Sequence, residues 1–248
     1  MKIGTITLDW LKGKKNLKDF YIAKILEQDL DFLIVTETLD SFNLTKPYFK
    51  IHSAILPTDI KYEDLNYGTY NKGESSIRTA IFSKQELIEQ LNVSDKNTSV
   101  AGLYNTQFGE TIIYGTIIGT WGIQKQVTIA KIELDNFQNH VANLLSTRKH
   151  LILAGDFNTS FIDKENRQLA FIQSRKTINE FCTKHKIFKA TETLQDCIEH
   201  IFISESLMHK ANPTSYTFLD KNELKDDPHK GIVCFLDELK RESILYAQ

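Results

Sequence analysis

Structure breakers and thiols are scarce in this 248-residue chain, which holds 4 prolines, 11 glycines and 3 cysteines. With no Pro- or Gly-rich stretch there is no low-complexity segment and no linker. Nor does any segment repeat at a fixed period. The cysteines, Cys182, Cys197 and Cys234, show no CxxC spacing. An odd, sparse set of this kind reads as reduced thiols in an intracellular protein. An excess of charge is missing too: 30 basic against 32 acidic residues leave a net charge of −2. That excludes nucleic-acid binding by bulk charge and leaves room for a local basic patch. No apolar run reaches the roughly 18–20 residues of a membrane span. MKIGTITLDWLKGKK at the start lacks the apolar core of a signal peptide. These absences predict a cytosolic protein with one domain over 1–248. The length is enough to bury a core without disulfide or metal.

Short apolar runs alternate with amphipathic stretches. Residues 2–8 alternate like a strand. Leu17, Phe20, Tyr21, Ile25 and Leu26 share helical spacing within 16–29. FLIVT (32–36) has the unbroken apolar character of a buried strand. RTAIFS (78–83) and TIIYGTIIG (111–119) read as central strands. The stretch 125–147 predicts a helix whose inner face is Ile129, Ile132, Phe137, Val141 and Leu144. LILAG (151–155), a helix over 164–185, and late strands HIFIS (200–204) and GIVCFL (231–236) complete the pattern. Residues 56–77 read as a long surface loop. Such alternation implies sheets with helices packed outside them.

Polar residues cluster where these strands end. LILAG runs into Asp156 and Asn158, two apart and therefore on one side of an extended chain. Polar groups at strand ends of α/β folds often line ligand clefts. A turn is the alternative, because Asx side chains cap backbone N–H groups. Glu37 follows FLIVT, Glu199 and His200 open a late strand, and Asp226, Asp227 and His229 precede the last one. Each alone reads as a solvated charge or a structural histidine. Four clusters abutting four separate strands make a site the better reading.

The order and content of these segments resemble the endonuclease/exonuclease/phosphatase superfamily of metal-dependent phosphoesterases. The resemblance spans nearly the whole chain and rests on KIGTITLDW, VTET, AGDFNT, EHIFIS and DPHKGIV, with AGDFNT the most specific. It implies a four-layer α/β/β/α sandwich of two mixed sheets. It implies that Glu37 binds a divalent cation, Mg²⁺ or Mn²⁺ by the hardness of its oxygen ligand. Asp156 would activate the attacking water, Asn158 would contact phosphate oxygens, and His229 would stabilise charge at the scissile phosphate. Asp227 is a second metal candidate.

The sequence also departs from the family's pattern. Thr7 stands where the first motif carries an asparagine, which replaces an amide by a hydroxyl. Thr7 is therefore a substrate-binding candidate, or simply a β-favouring residue. Glu199 replaces the aspartate that orients the final histidine and is one methylene longer. Pro228 separates Asp227 from His229 and fixes its own φ. His200 is a possible substitute histidine. Tyr114 and Thr116 are candidates on the middle strand. Arg78 suits bidentate phosphate contact, or a surface ion pair. Lys72, Lys125, Lys164, Arg167, Arg175 and Lys230 are possible partners of a polyanion. Tyr70, Trp121 and Phe161 can stack on bases or, more ordinarily, pack.

Three functions fit this reading. The first is a metal-dependent phosphodiester hydrolase, with a nuclease acting on DNA or RNA in front. The second is a phosphatase or phosphodiesterase acting on a small phosphorylated substrate. The third is a phosphate-binding or regulatory protein that has lost catalysis on the same fold.

Overall fold

In the computed structural model, residues 1–11, 15–45, 47–56, 61–62, 65–66, 75–118, 127–147, 149–162, 172–220 and 229–239 are described. The chain starts with strand β1 (Lys2–Thr7), helix α1 (Lys15–Glu27) and strands β2 (Phe32–Leu39) and β3 (Phe49–His52). Two short paired strands follow, β4 (Lys61–Tyr62) and β5 (Leu65–Asn66), inside the stretch read as a loop. Strands β6 (Ser76–Ser83), β7 (Leu87–Leu91), β8 (Ser99–Thr106) and β9 (Gly109–Ile117) lead to helix α2 (Val127–Ser146). Strand β10 (His150–Asp156), helix α3 (Ile172–His185), strands β11 (Ile187–Lys189) and β12 (Glu199–Ser204), short helix α4 (Glu205–Met208), and strands β13 (Ala211–Asp220) and β14 (Lys230–Glu238) complete it.

The strands form two six-stranded sheets, ordered β13-β14-β1-β2-β6-β3 and β11-β12-β10-β9-β8-β7. Each is mixed around one parallel pair, β1 with β2 and β9 with β10, flanked by antiparallel neighbours. Alternation along each strand sorts its side chains. Ile3, Phe32, Ile34, Ile81 and Ile232 of the first sheet meet Val100, Ile113, Ile152, Ile201 and Ile203 of the second in one buried cluster. Leu33, Val35 and Phe82 face the other way, against Tyr21 and Ile25 of α1. Leu151, Leu153 and Phe202 pack under Leu134, Phe137 and Val141 of α2 and Ile178 and Phe181 of α3. The layers are therefore helix, sheet, sheet, helix, as the resemblance implied. Burying each of these large side chains contributes about 1.5–3 kcal/mol before chain entropy. Among the described residues no helix is long and apolar enough to cross a membrane.

This topology brings distant motifs to one end. The carboxyl ends of β1, β2 and β10 and the amino ends of β12 and β14 lie together, as their registers require: Thr7 pairs with Thr36, Asp156 with Glu199, and Thr5 with Ile232.

Candidate active site

Asp156 ends β10 on the inner face, two residues beyond Ala154 of the shared core. Gly155 before it has φ +144 and lies against β9, where an added Cβ would sit 1.8 Å from the Thr116 carbonyl oxygen. Only glycine lets β10 approach β9 this closely just before the acid. Asp156 Oδ1 accepts the Asn158 amide at 2.8 Å, so the expected Asx turn forms. The carboxylate is nonetheless buried and faces a polar cluster.

Glu199, opposite Asp156 in the β10–β12 ladder, shares its face. Its Oε1 lies 2.8 Å from His229 Nδ1, and its Oε2 accepts the Lys230 amide at 3.0 Å. His229 Nδ1 is also 3.9 Å from Asp156 Oδ2. Burial alone would raise the Glu199 carboxyl. The His229 charge and hydrogen bond, the Lys230 amide and the Thr7 hydroxyl outweigh it and hold that carboxyl below the usual range. Glu199 is thus an ionised acceptor. His229 must therefore carry a proton on Nδ1.

Burial pushes the Asp156 carboxyl up to about 8; the negative charges of Glu199 and Glu37 push the same way, while His229 and the Asn158 amide oppose it. Glu37 is 8% exposed and adopts φ +49. The alternation of β2 would carry it to the α1 side with Leu33 and Val35. A left-handed glutamate within a strand interrupts that alternation and is uncommon enough to mark a functional position.

The remaining candidates sit elsewhere, for identifiable reasons. Asn158 also has φ +49, so it does not share the direction of Asp156; its Nδ2 donates to the Ile118 carbonyl at 3.2 Å. One N–H of the amide remains for a ligand. Thr7 is fully buried, with Oγ1 2.8 Å from Thr36 Oγ1, so the expected substrate contact is replaced by an internal one. Arg78 likewise is no phosphate ligand at the surface: its Nη1 is 2.6 Å from Glu133 Oε1 of α2, and both side chains are 1% exposed. His200 points to the opposite face from Glu199. It packs edge-on to Phe161 at 4.5 Å and lies near Phe157 and Phe202, with Nε2 2.9 Å from the Thr159 carbonyl. Burial lowers it to about 4, a neutral structural histidine. Tyr114 and Thr116 face the helix side, where Tyr114 stacks on His140 at 5.5 Å and Thr116 bonds Ser99. Phe161 is packing, as its ordinary reading holds. The Lys230 ammonium is engaged by Asp220 at 3.1 Å and the Gln195 carbonyl at 3.2 Å.

Asp227 lies outside the described residues, as do Pro228, Lys72, Lys125, Lys164, Arg167, Tyr70 and Trp121. Among the described residues, no group of three or more His, Cys, Asp or Glu side chains is arranged to hold a metal ion.

No protein-family model matches the sequence, and no curated protein matches it. Solved structures do match. An AP endonuclease from Archaeoglobus fulgidus superposes with a TM-score of 0.69 at 11% identity, covering 96% of this chain and 99% of that one. An endonuclease/exonuclease/phosphatase family protein from Leptotrichia buccalis superposes with a TM-score of 0.62 at 16% identity, over 96% and 99%. This chain has the endonuclease/exonuclease/phosphatase fold. A 3′ phosphatase from Neisseria, bound to its product DNA hairpin, shares that fold with a TM-score of 0.68 at 12% identity, over 96% and 99%. Identities this low place the chain as a divergent representative of the endonuclease/exonuclease/phosphatase fold.

Proposed function

We propose that the chain is a divalent-metal-dependent phosphodiester hydrolase, a nuclease acting on DNA or RNA. The observation that carries this reading is the placement of Asp156: a buried acid at a strand end, beside a histidine that an ionised glutamate holds in one tautomer. A packed core has no use for such a group, whose ionisation is penalised by burial and by two neighbouring carboxylates.

The donor chemistry fits Mg²⁺ or Mn²⁺. The negative charges of Glu37 and Glu199 both act on Asp156, and a divalent cation relieves such like-charge convergence. Mg²⁺ is commonly held by one or two carboxylates with water and substrate phosphate, so a full protein cage is not required. Glu37 and Asp227 are the residues that would hold it. When bound, the ion supplies charge stabilisation at the phosphoryl and leaving oxygens.

The chain's own residues supply the rest. Asp156, once ionised, accepts a proton from the attacking water and orients it. His229, when doubly protonated, donates its Nε2–H to a phosphate oxygen while Glu199 accepts its Nδ1–H and, with the Lys230 amide, fixes the ring. The remaining N–H of Asn158 is available for a second phosphate oxygen. One structural neighbour, a 3′ phosphatase bound to a DNA hairpin, supports a nucleic-acid substrate for this chain. The near-neutral charge is also compatible with a second reading, a small phosphoester.

Hydrolysis of single- and double-stranded DNA, RNA and bis-p-nitrophenyl phosphate, each with Mg²⁺, Mn²⁺ or EDTA, tests the proposal. Metal-dependent cleavage lost in Asp156→Ala supports it, and the preferred substrate chooses polymer or small ester. A folded protein inert on every substrate refutes it and moves the reading to a phosphate-binding scaffold.

A further inference from the structure

We infer that the buried ion pair of Arg78 and Glu133 positions the active site: with the His229–Glu199 contact on the opposite flank, it sets the separation of Glu37 on the first sheet from Asp156 on the second. This role rests on the hydrolase reading and deepens it, naming two residues that act through the acids without meeting substrate.

Arg78 lies in β6 of the first sheet. Glu133 lies in α2, which covers the outer face of the second sheet through Leu134, Phe137 and Val141. A contact between these two layers has to pass the second sheet. The strands of that sheet are joined by continuous ladders, so the link runs around the sheet's end. The neighbours of Arg78 identify which end. Thr79 Oγ1 donates to the Thr98 carbonyl at 2.7 Å, and the same carbonyl accepts the Ile117 amide at 3.3 Å. Ile117 is the ladder partner of Asp156. The ion pair therefore crosses one strand away from the proposed base.

On its own sheet Arg78 also adjoins the site. Thr36 pairs with Thr79 and Thr38 with Ile77, which leaves Arg78 opposite Glu37, the residue at φ +49. The other flank is closed by His229, just before β14, and Glu199 of β12, 2.8 Å apart. Strand order puts both acids between these links. Glu37 is on β2 within β14-β1-β2-β6, and Asp156 is on β10 within β12-β10-β9. Each link joins one layer to another, so the two hold the mouth of the sandwich from both sides.

Stability alone gives such a pair no advantage. Arg78 Nη1 and Glu133 Oε1 are 2.6 Å apart with both side chains 1% exposed, and well-packed apolar residues of similar volume often serve a buried position as well or better. What the ion pair supplies and apolar packing does not is a directional link of fixed length between layers.

Two variants separate this role from a structural one. The double variant Arg78→Met, Glu133→Leu removes the link and leaves neither charge buried. Arg78→Lys keeps the charges of the link. With Mg²⁺ and bis-p-nitrophenyl phosphate as probe, the double variant is expected to lower kcat about 10²-fold, the effect of a misplacement of about 1 Å. KM should change little, and Arg78→Lys should keep most of kcat. A second readout needs neither metal nor turnover. Crystal structures of the native protein and the double variant in EDTA should differ by about 1 Å in the separation of the Glu37 and Asp156 Cα atoms. A folded double variant with native kcat and native separation overturns the inference. So does a folded Arg78→Lys protein whose kcat falls about 10²-fold, which decides the matter should the double variant not fold. If the native protein hydrolyses nothing, the hydrolase reading fails, and the Glu37–Asp156 separation still decides the role of the pair.

Discussion

His229 and Glu199, 30 positions apart in the chain, meet through a 2.8 Å contact between Nδ1 and Oε1. The other oxygen of Glu199 takes the backbone amide next to that histidine at 3.0 Å. One carboxylate thus receives the side chain and the main chain of the same segment, which fixes both the ring and its tautomer.

Glu199→Gln tests that grip. The amide has nearly the shape of the acid but must turn an N–H toward either His229 Nδ1 or the Lys230 amide, both of which are donors. The ring then loses its orientation or its tautomer. We expect kcat to fall on the order of 10²–10⁴-fold, the usual worth of a general acid–base group, with a smaller change in KM. Steady-state kinetics on the substrate chosen by the panel measures both.

Asp156 predicts the pH behaviour of the metal-free protein. Its folded value of about 8 lies above the ordinary 3.8, so between these values the folded state binds more protons than the unfolded one. Stability must then fall as pH rises from about 4 to about 8. Thermal melts in EDTA should show this slope in the native protein and a flatter one in Asp156→Asn. Added Mg²⁺ should raise the native melting temperature more at pH 8 than at pH 5, because the cation favours the ionised acid. Equal slopes for the two proteins contradict the assignment.

Gly155→Ala is expected to unseat Asp156. The new Cβ meets the Thr116 carbonyl oxygen at 1.8 Å from a backbone at φ +144, and the obstacle is main chain that cannot rotate away. A loss of more than about 3 kcal/mol, at the upper end for single substitutions, should appear in urea unfolding.

Arg78 and Glu133 link the first sheet to α2 through a 2.6 Å ion pair with both side chains buried. Glu133→Gln leaves an arginine charge without its carboxylate and should cost about 3–5 kcal/mol. The double variant Arg78→Met, Glu133→Leu should recover most of that loss, since burying neither charge removes the desolvation penalty. Urea melts of the three proteins check this.

Much of this molecule is legible in its sequence. The apolar runs ending in Asp156 and Glu37 read as strands because buried strands concentrate branched and aromatic residues. The acids after them stand out because charged residues are seldom buried beside such runs. Strands β3, β7 and β13 left no comparable signal. They lie at or beside sheet edges, and LIEQL of β7 is mostly exposed, so its apolar content is low. Side-chain direction was the least legible property. The rule that residues two apart share a face fails at Asn158, and simple alternation is interrupted at Glu37, because both adopt positive φ. Asparagine tolerates this conformation, as the turn alternative allows, whereas glutamate gives no such signal. The partner of Arg78 was hidden for a different reason: Glu133 occupies the buried face of an amphipathic helix, beside Leu134 and Phe137, where sequence patterning predicts an apolar residue. Glu199 for aspartate and threonine for asparagine at position 7 looked like separate losses. In the fold the Thr7 hydroxyl is one of the groups that hold the Glu199 carboxyl low.

The proposed hydrolysis of phosphodiesters rests on the acids at these strand ends and a divalent cation. The most direct measurement is the Mg²⁺-dependent cleavage rate of a labelled single-stranded oligonucleotide by the native protein, Asp156→Asn and Glu37→Gln, each with an EDTA control and a melting curve. Cleavage by the native protein is expected only with metal, with a loss of about 10²-fold or more in both folded variants. Cleavage by either variant at the native rate, or a folded native protein that leaves the strand intact in Mg²⁺, would contradict it.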